Sequence, residues 1–190
     1  DIIGGEYIIK NDKLSFIPRG KRIHLSMGES SSSVRSLLDI GYYLRHIAQI
    51  GDLLMIDEPE LNLHPENQRR VARLFTRLVN IGLKVFVTTH SDYIIKELNT
   101  LIMLNNKNNQ RLVSIMNREG YKQEETISCD NIKVYIAEEA NIKQEGRQRS
   151  SRCLTLTSAK ISTDTGIEVG SFDKTIDAMN RIQDEIVWGE

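Results

Sequence analysis

The chain has 190 residues, and its 25 basic and 26 acidic side chains give a formal net charge of −1. This length predicts about one domain with at most a small addition. The balanced charge excludes a global basic field, so any contact with nucleic acid must come from a local patch. No apolar run approaches the ~20 residues of a membrane-spanning helix. Cys129 and Cys153 stand in no metal-binding spacing and are expected to be reduced, buried or inert thiols of a cytoplasmic protein.

The N-terminal residues predict a short antiparallel sheet. Apolar and polar residues alternate at 6–10 and 14–17, and the turn residues Asn11-Asp12-Lys13 lie between them, which predicts a hairpin. A third alternating stretch at 22–25 leads into Ser26-Met27-Gly28-Glu29.

A serine run and a helical pattern come next. The serines at 30–33 are either a flexible linker or helix N-caps. Apolar side chains recur from Val34 to Ile47 at helical spacing, which predicts one helix that runs to about Gln49 and stops at Gly51.

From residue 53 to residue 104, short apolar runs alternate with amphipathic helical patterns. Such alternation predicts parallel βαβ units in an α/β sheet. The first of these runs is uninterrupted, so we expect a central strand that is covered on both faces. The predicted elements are a strand at 53–56, a helix from Pro65 to the stop at Gly82, a strand at 84–88, a helix from the cap Ser91 to about Leu98, and a strand at 101–104.

The rest of the chain predicts a small α+β extension that packs on this core. Residues 143–152 form a polar loop in which Lys143, Arg147, Arg149 and Arg152 either contact nucleic acid or are simply solvated. The other predicted elements are a loop at 105–110, a helix at 111–118 with the stop at Gly120, a strand at 132–137, a hairpin of 154–161 with 167–169, and a final helix capped by Ser171 with Phe172, Ile176, Met179, Ile182 and Ile186 on one stripe.

Asp57 and Glu58 directly follow the first apolar strand of the α/β region. The carboxyl end of a parallel strand is where such sheets bind ligands. One carboxylate in this place can hold Mg²⁺ while the next orients a nucleophilic water. The alternative is an acidic turn without a catalytic role.

His90 follows the next strand, 33 residues after Asp57, and is therefore expected at the same edge of the sheet. An imidazole there can donate a hydrogen bond to a phosphate oxygen. The alternative is a histidine in the core or in a helix cap. A third candidate is the turn at Ser26 and Gly28, which precedes a predicted helix. It presents a hydroxyl and backbone N–H groups to an anion, unless it is an ordinary capping turn.

Taken together, these motifs resemble the C-terminal half of an ABC-type ATPase, a parallel-sheet α/β P-loop NTPase. The resemblance covers residues 5–104 and implies an ATPase core at 1–104 with an extension at 105–190. Ser26, Gly28 and Glu29 correspond to the signature loop, and residues 53–58 correspond to the Walker B strand with its catalytic glutamate. Asn62 and His64 correspond to the D-loop, and His90 corresponds to the switch histidine.

The run from Asp57 to Pro65, Asp-Glu-Pro-Glu-Leu-Asn-Leu-His-Pro, is similar to the soluble ATPases of the RecF and SMC-like branch rather than to transporter subunits. It is most like the overcoming-lysogenisation-defect (OLD) nucleases and the ATPases of phage-defence systems such as Septu and some retrons. The signature departs from the usual form, because Met27 replaces a small residue and four serines follow Glu29.

A phosphate-binding loop, Gly-x4-Gly-Lys-Ser/Thr, is not found in this sequence. The pair Gly20-Lys21 is followed by Arg22, and Ser15 stands where the first glycine belongs. We therefore expect the N-terminal half that carries Walker A to lie upstream in the same protein or on another chain. Because the sequence begins with Asp1 rather than Met, truncation is the simpler expectation, and this chain alone is expected to be inactive.

The resemblance implies a role for each site residue, with ATP and Mg²⁺ as cofactors. Asp57 would hold Mg²⁺ through water, Glu58 would polarise the attacking water and His90 would contact the γ-phosphate. The signature residues would close over the γ-phosphate of the facing subunit of a homodimer. Asn62 and His64 would carry signals across that dimer.

Three functions remain open. The first is an ATPase switch in phage defence or on nucleic acid, with a nuclease effector on another chain and no membrane partner. The second is a DNA-repair ATPase of the RecF/SMC type. The third is a non-hydrolysing interaction module that keeps the fold.

Overall fold

The computed structural model describes residues 2–105, 109–142, 151–168 and 170–189, with the backbone alone for residues 170–176. The chain divides into two compact units. Residues 1–97 and 119–126 form the first unit, and residues 98–118 and 127–190 form the second. The division between residues 104 and 105 made from the sequence stays a prediction.

The first unit begins with the predicted hairpin. Strands β1 (Gly5–Lys10) and β2 (Lys13–Pro18) pair antiparallel, and Lys10 lies opposite Lys13. Asn11 and Asp12 both have positive φ, at 51° and 55°, as the tight two-residue turn of a hairpin requires. The third strand, β3 (Leu25–Ser26), pairs with β2 but is shorter than predicted. Residues 22–24 stay outside it, where their exposed side chains gain no burial from pairing.

Two short helices replace the single helix that was predicted to reach Gln49. Helix α1 (Ser32–Ser36) is capped by Ser31, whose hydroxyl accepts a hydrogen bond from the Val34 N–H group. Helix α2 (Leu38–His46) follows after a break at Leu37, which has φ −93° and ψ 0°. Leu37 is buried in the core cluster of the unit, so its side-chain packing outweighs a continuous helix. The serines therefore act as a cap and not as a linker.

The next segment is the predicted βαβ unit. Strands β4 (Leu53–Asp57) and β5 (Lys84–Thr88) pair in parallel, with Asp57 opposite Thr88 at their carboxyl ends. Helix α3 (Pro65–Asn80) connects them, and its residues Val71, Phe75 and Leu78 are buried in the core. Gly82, with φ +98°, follows the end of α3, where the sequence predicted the helix to stop.

One face of this small sheet is open. Leu53, Met55 and Phe86 are 56%, 64% and 53% exposed, whereas the alternate residues such as Leu54 and Val85 pack on the core. Within the described part of the chain, β4 pairs with β5 alone. The prediction of a strand covered on both faces is therefore wrong for the described residues.

Helix α4 (Asp92–Met103) contains most of the segment that was predicted to be a third parallel strand. Leu101 and Ile102 are neighbours in sequence and are both almost fully buried. A helix can bury adjacent apolar residues as well as a strand can, and periodicity does not separate the two in so short a run. The strand predicted at 101–104 is therefore wrong.

Between Gln110 and Ile167, the described residues supply one α-helix and two antiparallel strand pairs. Helix α5 (Gln110–Glu119) ends at Gly120, as predicted. Strand β6 (Tyr135–Ile142) starts three residues later than predicted, after a 3₁₀ turn at Cys129–Asn131. It pairs antiparallel with β7 (Ser151–Ser158), so the predicted partner of residues 154–158 is wrong. Strands β8 (Ile161–Ser162) and β9 (Gly166–Ile167) form a separate short pair.

The predicted last helix, second hairpin strand and basic loop can be compared with the structure only where it describes their residues. The final helix, α6 (Gly170–Trp188), is present, and its residues Met179, Ile182 and Ile186 are exposed. The side chains of Ser171, Phe172 and Ile176 lie outside the described residues, as do Val169 and the basic residues at 143–149. Arg152 lies in β7 rather than in a loop and pairs with Glu139 at 2.9 Å.

Both cysteines are free thiols. Cys129 is half-buried, whereas Cys153 is exposed rather than buried. No helix among the described residues has the length and apolar character needed to cross a membrane.

Candidate active site

The carboxyl ends of β4 and β5 are tied together by Thr88. The Thr88 hydroxyl donates a hydrogen bond to Oδ1 of Asp57. The Glu58 N–H group donates to two oxygens of Thr88, the carbonyl oxygen at 3.0 Å and the hydroxyl oxygen at 3.2 Å. Thr88 therefore orients the Asp57 carboxylate and fixes the start of the following loop. Sequence reasoning gave Thr88 no role, although its position as the last residue of the neighbouring strand is a usable signal.

Glu58 and His90 lie side by side at this edge. Oε1 of Glu58 is 3.6 Å from Nε2 of His90, which is longer than a hydrogen bond. The His90 side chain is 85% exposed and that of Glu58 is 35% exposed, so His90 is not a core histidine. The cap of helix α4 is Ser91, whose hydroxyl accepts from the Ile94 N–H group at 3.2 Å. Both side chains are thus free to meet a ligand.

The loop after β4 is strained at two residues. Glu58 has φ +46° and Asn62 has φ +62°. The left-handed region costs a residue with a Cβ atom roughly 1–2 kcal/mol, and such strain is concentrated at functional sites. The Leu61 N–H group donates to the Glu58 carbonyl at 3.1 Å, so a tight turn holds Glu58 in this conformation.

Glu60 joins this loop to the loop that carries His90. Its Oε1 atom accepts a hydrogen bond from the His90 backbone N–H group at 2.6 Å. Its Oε2 atom is buried and has no hydrogen-bond partner among the described residues. Sequence reasoning missed Glu60, because its partner lies 30 residues away.

Asn62 and His64 have local partners. The Asn62 side-chain amide donates to the Ser36 hydroxyl on α1 at 3.3 Å. His64 is the N-cap of α3, and its Nδ1 atom accepts from the Glu66 N–H group at 3.4 Å. Both side chains are exposed. The cap accounts for His64 structurally, and any signalling role of the two residues stays a prediction.

Gln68, which sequence reasoning also missed, forms a second link between the two loops. Its side-chain amide donates to the Leu63 carbonyl at 2.9 Å. Its Oε1 atom accepts from the Ser91 hydroxyl at 2.5 Å. The loop that precedes α3 is therefore held against the start of α4.

The turn at Ser26 is closed by Glu29. Oε2 of Glu29 accepts from the Ser26 N–H group at 2.9 Å and from its hydroxyl at 2.7 Å. These hydrogen bonds lower the pKa of Glu29 below its ordinary value. Arg35 reaches back from α1 and donates to the carbonyl groups of Ser30, at 2.6 Å, and Met27, at 3.2 Å. Gly28 is exposed at the tip. Because the cap of α1 is Ser31, this turn is a separate ordered feature rather than a helix cap.

The donor set at the strand ends fits Mg²⁺ bound together with a phosphate group. Mg²⁺ usually takes one or two protein carboxylates and completes its shell with phosphate oxygens and water. Asp57 and Glu58 supply such carboxylates at an accessible edge. No group of three or more His, Cys, Asp or Glu side chains converges among the described residues. Asp57 and Glu58 supply the one or two carboxylates that Mg²⁺ usually takes when phosphate oxygens and water complete its shell.

A solved structure and a family model are similar to this chain. A solved structure from work on the "structural biochemistry of ATP-driven dimerization and DNA stimulated activation of SMC ATPases" has a TM-score of 0.46 and 15% identity, over 95% of this chain and 82% of that chain. No curated protein sequence gives a significant match. The family model described as "AAA ATPase domain" matches residues 4–95, a span that contains every candidate site residue named above. This match supports an α/β ATPase domain of the P-loop class over residues 4–95.

Proposed function

We propose that the protein is an ATP-binding and ATP-hydrolysing switch of the ABC type, which dimerises around ATP. One observation carries the proposal. Asp57, Glu58 and His90 meet at the ends of two parallel strands, inside a segment that matches an ATPase domain. This edge is where parallel sheets bind ligands.

Each of these residues has a role in ATP hydrolysis that its surroundings support. Asp57, oriented by the Thr88 hydroxyl, would hold Mg²⁺ through a water molecule. Bound there, the metal ion would offset the charge that develops on the phosphate oxygens. Glu58 would accept a proton from the attacking water, and His90 would donate a hydrogen bond to the γ-phosphate. The products would be ADP and phosphate.

From the open face of the sheet we infer that a second polypeptide segment completes the nucleotide site. Leu53, Met55 and Phe86 expose apolar side chains on one face of the β4–β5 sheet. Parallel sheets are normally covered on both faces. We propose that strands and helices carrying the phosphate-binding loop cover this face, either from upstream in the same protein or from another chain.

The turn at Ser26 would serve the facing subunit of the dimer. Its hydrogen bonds to Glu29 and Arg35 keep it ordered before any nucleotide arrives. Ser26, Gly28 and Glu29 would then close over the γ-phosphate held by the other subunit. Asn62 donates to Ser36 on the helix that follows this turn, which gives a path from the active site to the dimer interface.

We propose phage defence as the biological setting, with a nuclease effector and nucleic acid as partners in the cytoplasm. This rests on the run from Asp57 to Pro65, which resembles OLD-type and Septu or retron ATPases. A DNA-repair ATPase of the RecF/SMC type is the second candidate. A non-hydrolysing module is less well supported, because Glu58 and His90 are both accessible and adjacent.

The test is ATP turnover by Glu58→Gln in the longest natural form of the protein, established by intact mass and terminal sequencing. We expect ATP binding to persist and turnover to fall on the order of 10²- to 10⁴-fold, the range for loss of a general base. Glu124→Gln, an exposed glutamate away from the site, is the matched control. Unchanged turnover in Glu58→Gln would remove Glu58 from this role. Absence of ATP binding by the wild type would favour the interaction module.

A further inference from the structure

We propose that Glu60 is a positioning residue that holds His90 beside the catalytic carboxylate of Glu58. This inference rests on the proposed ATPase function. Its basis is the hydrogen bond from the His90 backbone N–H group to Oε1 of Glu60, at 2.6 Å. Hydrogen bonds to a charged acceptor are stronger than those between neutral groups, so this bond is a firm link between the two loops.

Glu60 is placed to hold both catalytic loops at once. It lies between the two left-handed residues Glu58 and Asn62. Its carbonyl oxygen accepts from the Leu63 N–H group at 3.0 Å, so its backbone is fixed within the turn while its side chain reaches His90. Strained backbone persists only where the surroundings over-determine it. The bond to His90 supplies part of that constraint.

The placement of Glu60 carries a cost that points to function rather than stability. Its Oε2 atom is buried and has no hydrogen-bond partner among the described residues. Burying a polar oxygen without a donor is unfavourable. A carboxylate kept in such a place is explained if the position of His90 depends on it.

Other bonds around His90 limit what the loss of Glu60 would do. Thr88 holds the loop two residues before His90 through Asp57 and Glu58. Gln68 holds Ser91, the residue after it. Without the Glu60 carboxylate, His90 would shift, but Thr88 before it and Ser91 after it would stay in place and the fold would stay intact. The expected defect is therefore in the catalytic step and not in folding.

The experiment compares Glu60→Ala and Glu60→Gln in the longest natural form of the protein, with Glu124→Ala as the control. In Glu60→Ala, we expect the His90 amide to exchange with solvent at least about tenfold faster and kcat to fall about 10- to 100-fold, while KM for ATP stays within about threefold. Misplacement of a catalytic group by about 1 Å has an effect of that size. Glu60→Gln should recover most of both properties, because its amide oxygen still accepts the His90 N–H group.

Each alternative outcome overturns the inference in a recognisable way. Unchanged exchange of the His90 amide in Glu60→Ala would show that the link does not hold the loop. Faster exchange with unchanged kcat would remove the positioning role. Equal losses in both variants, together with lower stability, would show a general structural role. If wild-type protein fails to hydrolyse ATP, the proposed function fails and the catalytic role of Glu60 falls with it, whereas the His90 exchange rates still report on the link itself.

Discussion

Glu97 is a buried carboxylate whose removal should strongly destabilise the first unit. Its side chain is 2% exposed, and its two oxygens accept from Nε of Arg69 at 2.7 Å and from Nε of Arg73 at 2.5 Å. The Tyr121 ring lies 4.1 Å from the Arg73 guanidinium, and its hydroxyl accepts from Arg69 at 3.1 Å. Glu97 thereby joins α3, α4 and the segment 119–126 in one charged network.

The expected loss follows from the burial of each partner. Removing one member of a buried ion pair costs about 3–5 kcal/mol, because the other charge is left unpaired. The side chains of Arg69 and Arg73 are 38% and 17% exposed, so water can still reach both cations and the lower end applies. We expect Glu97→Ala to lower the free energy of unfolding by about 3 kcal/mol. For a chain of this size, that loss lowers Tm by about 6–12 °C.

Urea denaturation and hydrogen exchange of the α3 amides measure this loss. The single tryptophan, Trp188, belongs to the second unit, so its fluorescence does not report on the network. The control is Glu124→Ala, which breaks an exposed pair with Arg77 at 3.5 Å, with side chains 55% and 46% exposed. It should cost less than about 1 kcal/mol. If Glu97→Ala costs no more than Glu124→Ala, the burial argument is wrong.

Two further predictions concern the strained loop and the turn at Ser26. Glu58→Gly should raise the free energy of unfolding by up to about 1 kcal/mol in a urea titration, because glycine adopts the positive φ without penalty, while ATP turnover is lost. A less stable variant would show that the loop is not strained. The hydrogen bonds from Ser26 lower the pKa of Glu29, so they are fully present above the ordinary glutamate value of about 4.3 and are lost as the pH falls through the lower folded value. The protection factor of the Ser26 amide should therefore stay constant from neutral pH to about 4.3 and fall only in more acid solution. Glu29→Gln should abolish this pH dependence. A decline of the protection factor near neutral pH would contradict the assignment.

Much of the first unit could be predicted from the sequence, because its elements carry strong local signals. Helix α3 has buried residues at helical spacing, a proline in its first turn and Gly82 after its end. The first hairpin has turn residues that tolerate positive φ. In these segments, local preference and burial favour the same structure.

Elsewhere the local signal was ambiguous and tertiary packing decided the structure. The apolar run at 101–104 fits a strand or a buried helix, and burial of Leu101 and Ile102 within α4 selected the helix. The break at Leu37 has the same origin, since no proline or glycine marks it and the core contact of that side chain determines it.

The candidate site was predictable only as far as topology determines it. Asp57, Glu58 and His90 could be placed at one edge because parallel strands end on the same side of a sheet. Thr88, Glu60 and Gln68 act through hydrogen bonds between residues that are 23 to 31 positions apart. No sequence pattern encodes those pairings, so they emerge only from the fold.

Several exceptions to local rules in the first unit lie around one small sheet. Glu58 holds a backbone conformation that favours glycine, Glu60 buries an oxygen without a donor among the described residues, and Met55 and Phe86 expose large apolar side chains. Helix α3, by contrast, follows the local rules for a capped amphipathic helix. Departures of this kind are expected where function rather than stability selects the residue. The strained turn at Glu58 and the buried oxygen of Glu60 lie in the loop that meets His90, and they support, independently of any motif, our proposal that this edge is the working surface of the unit.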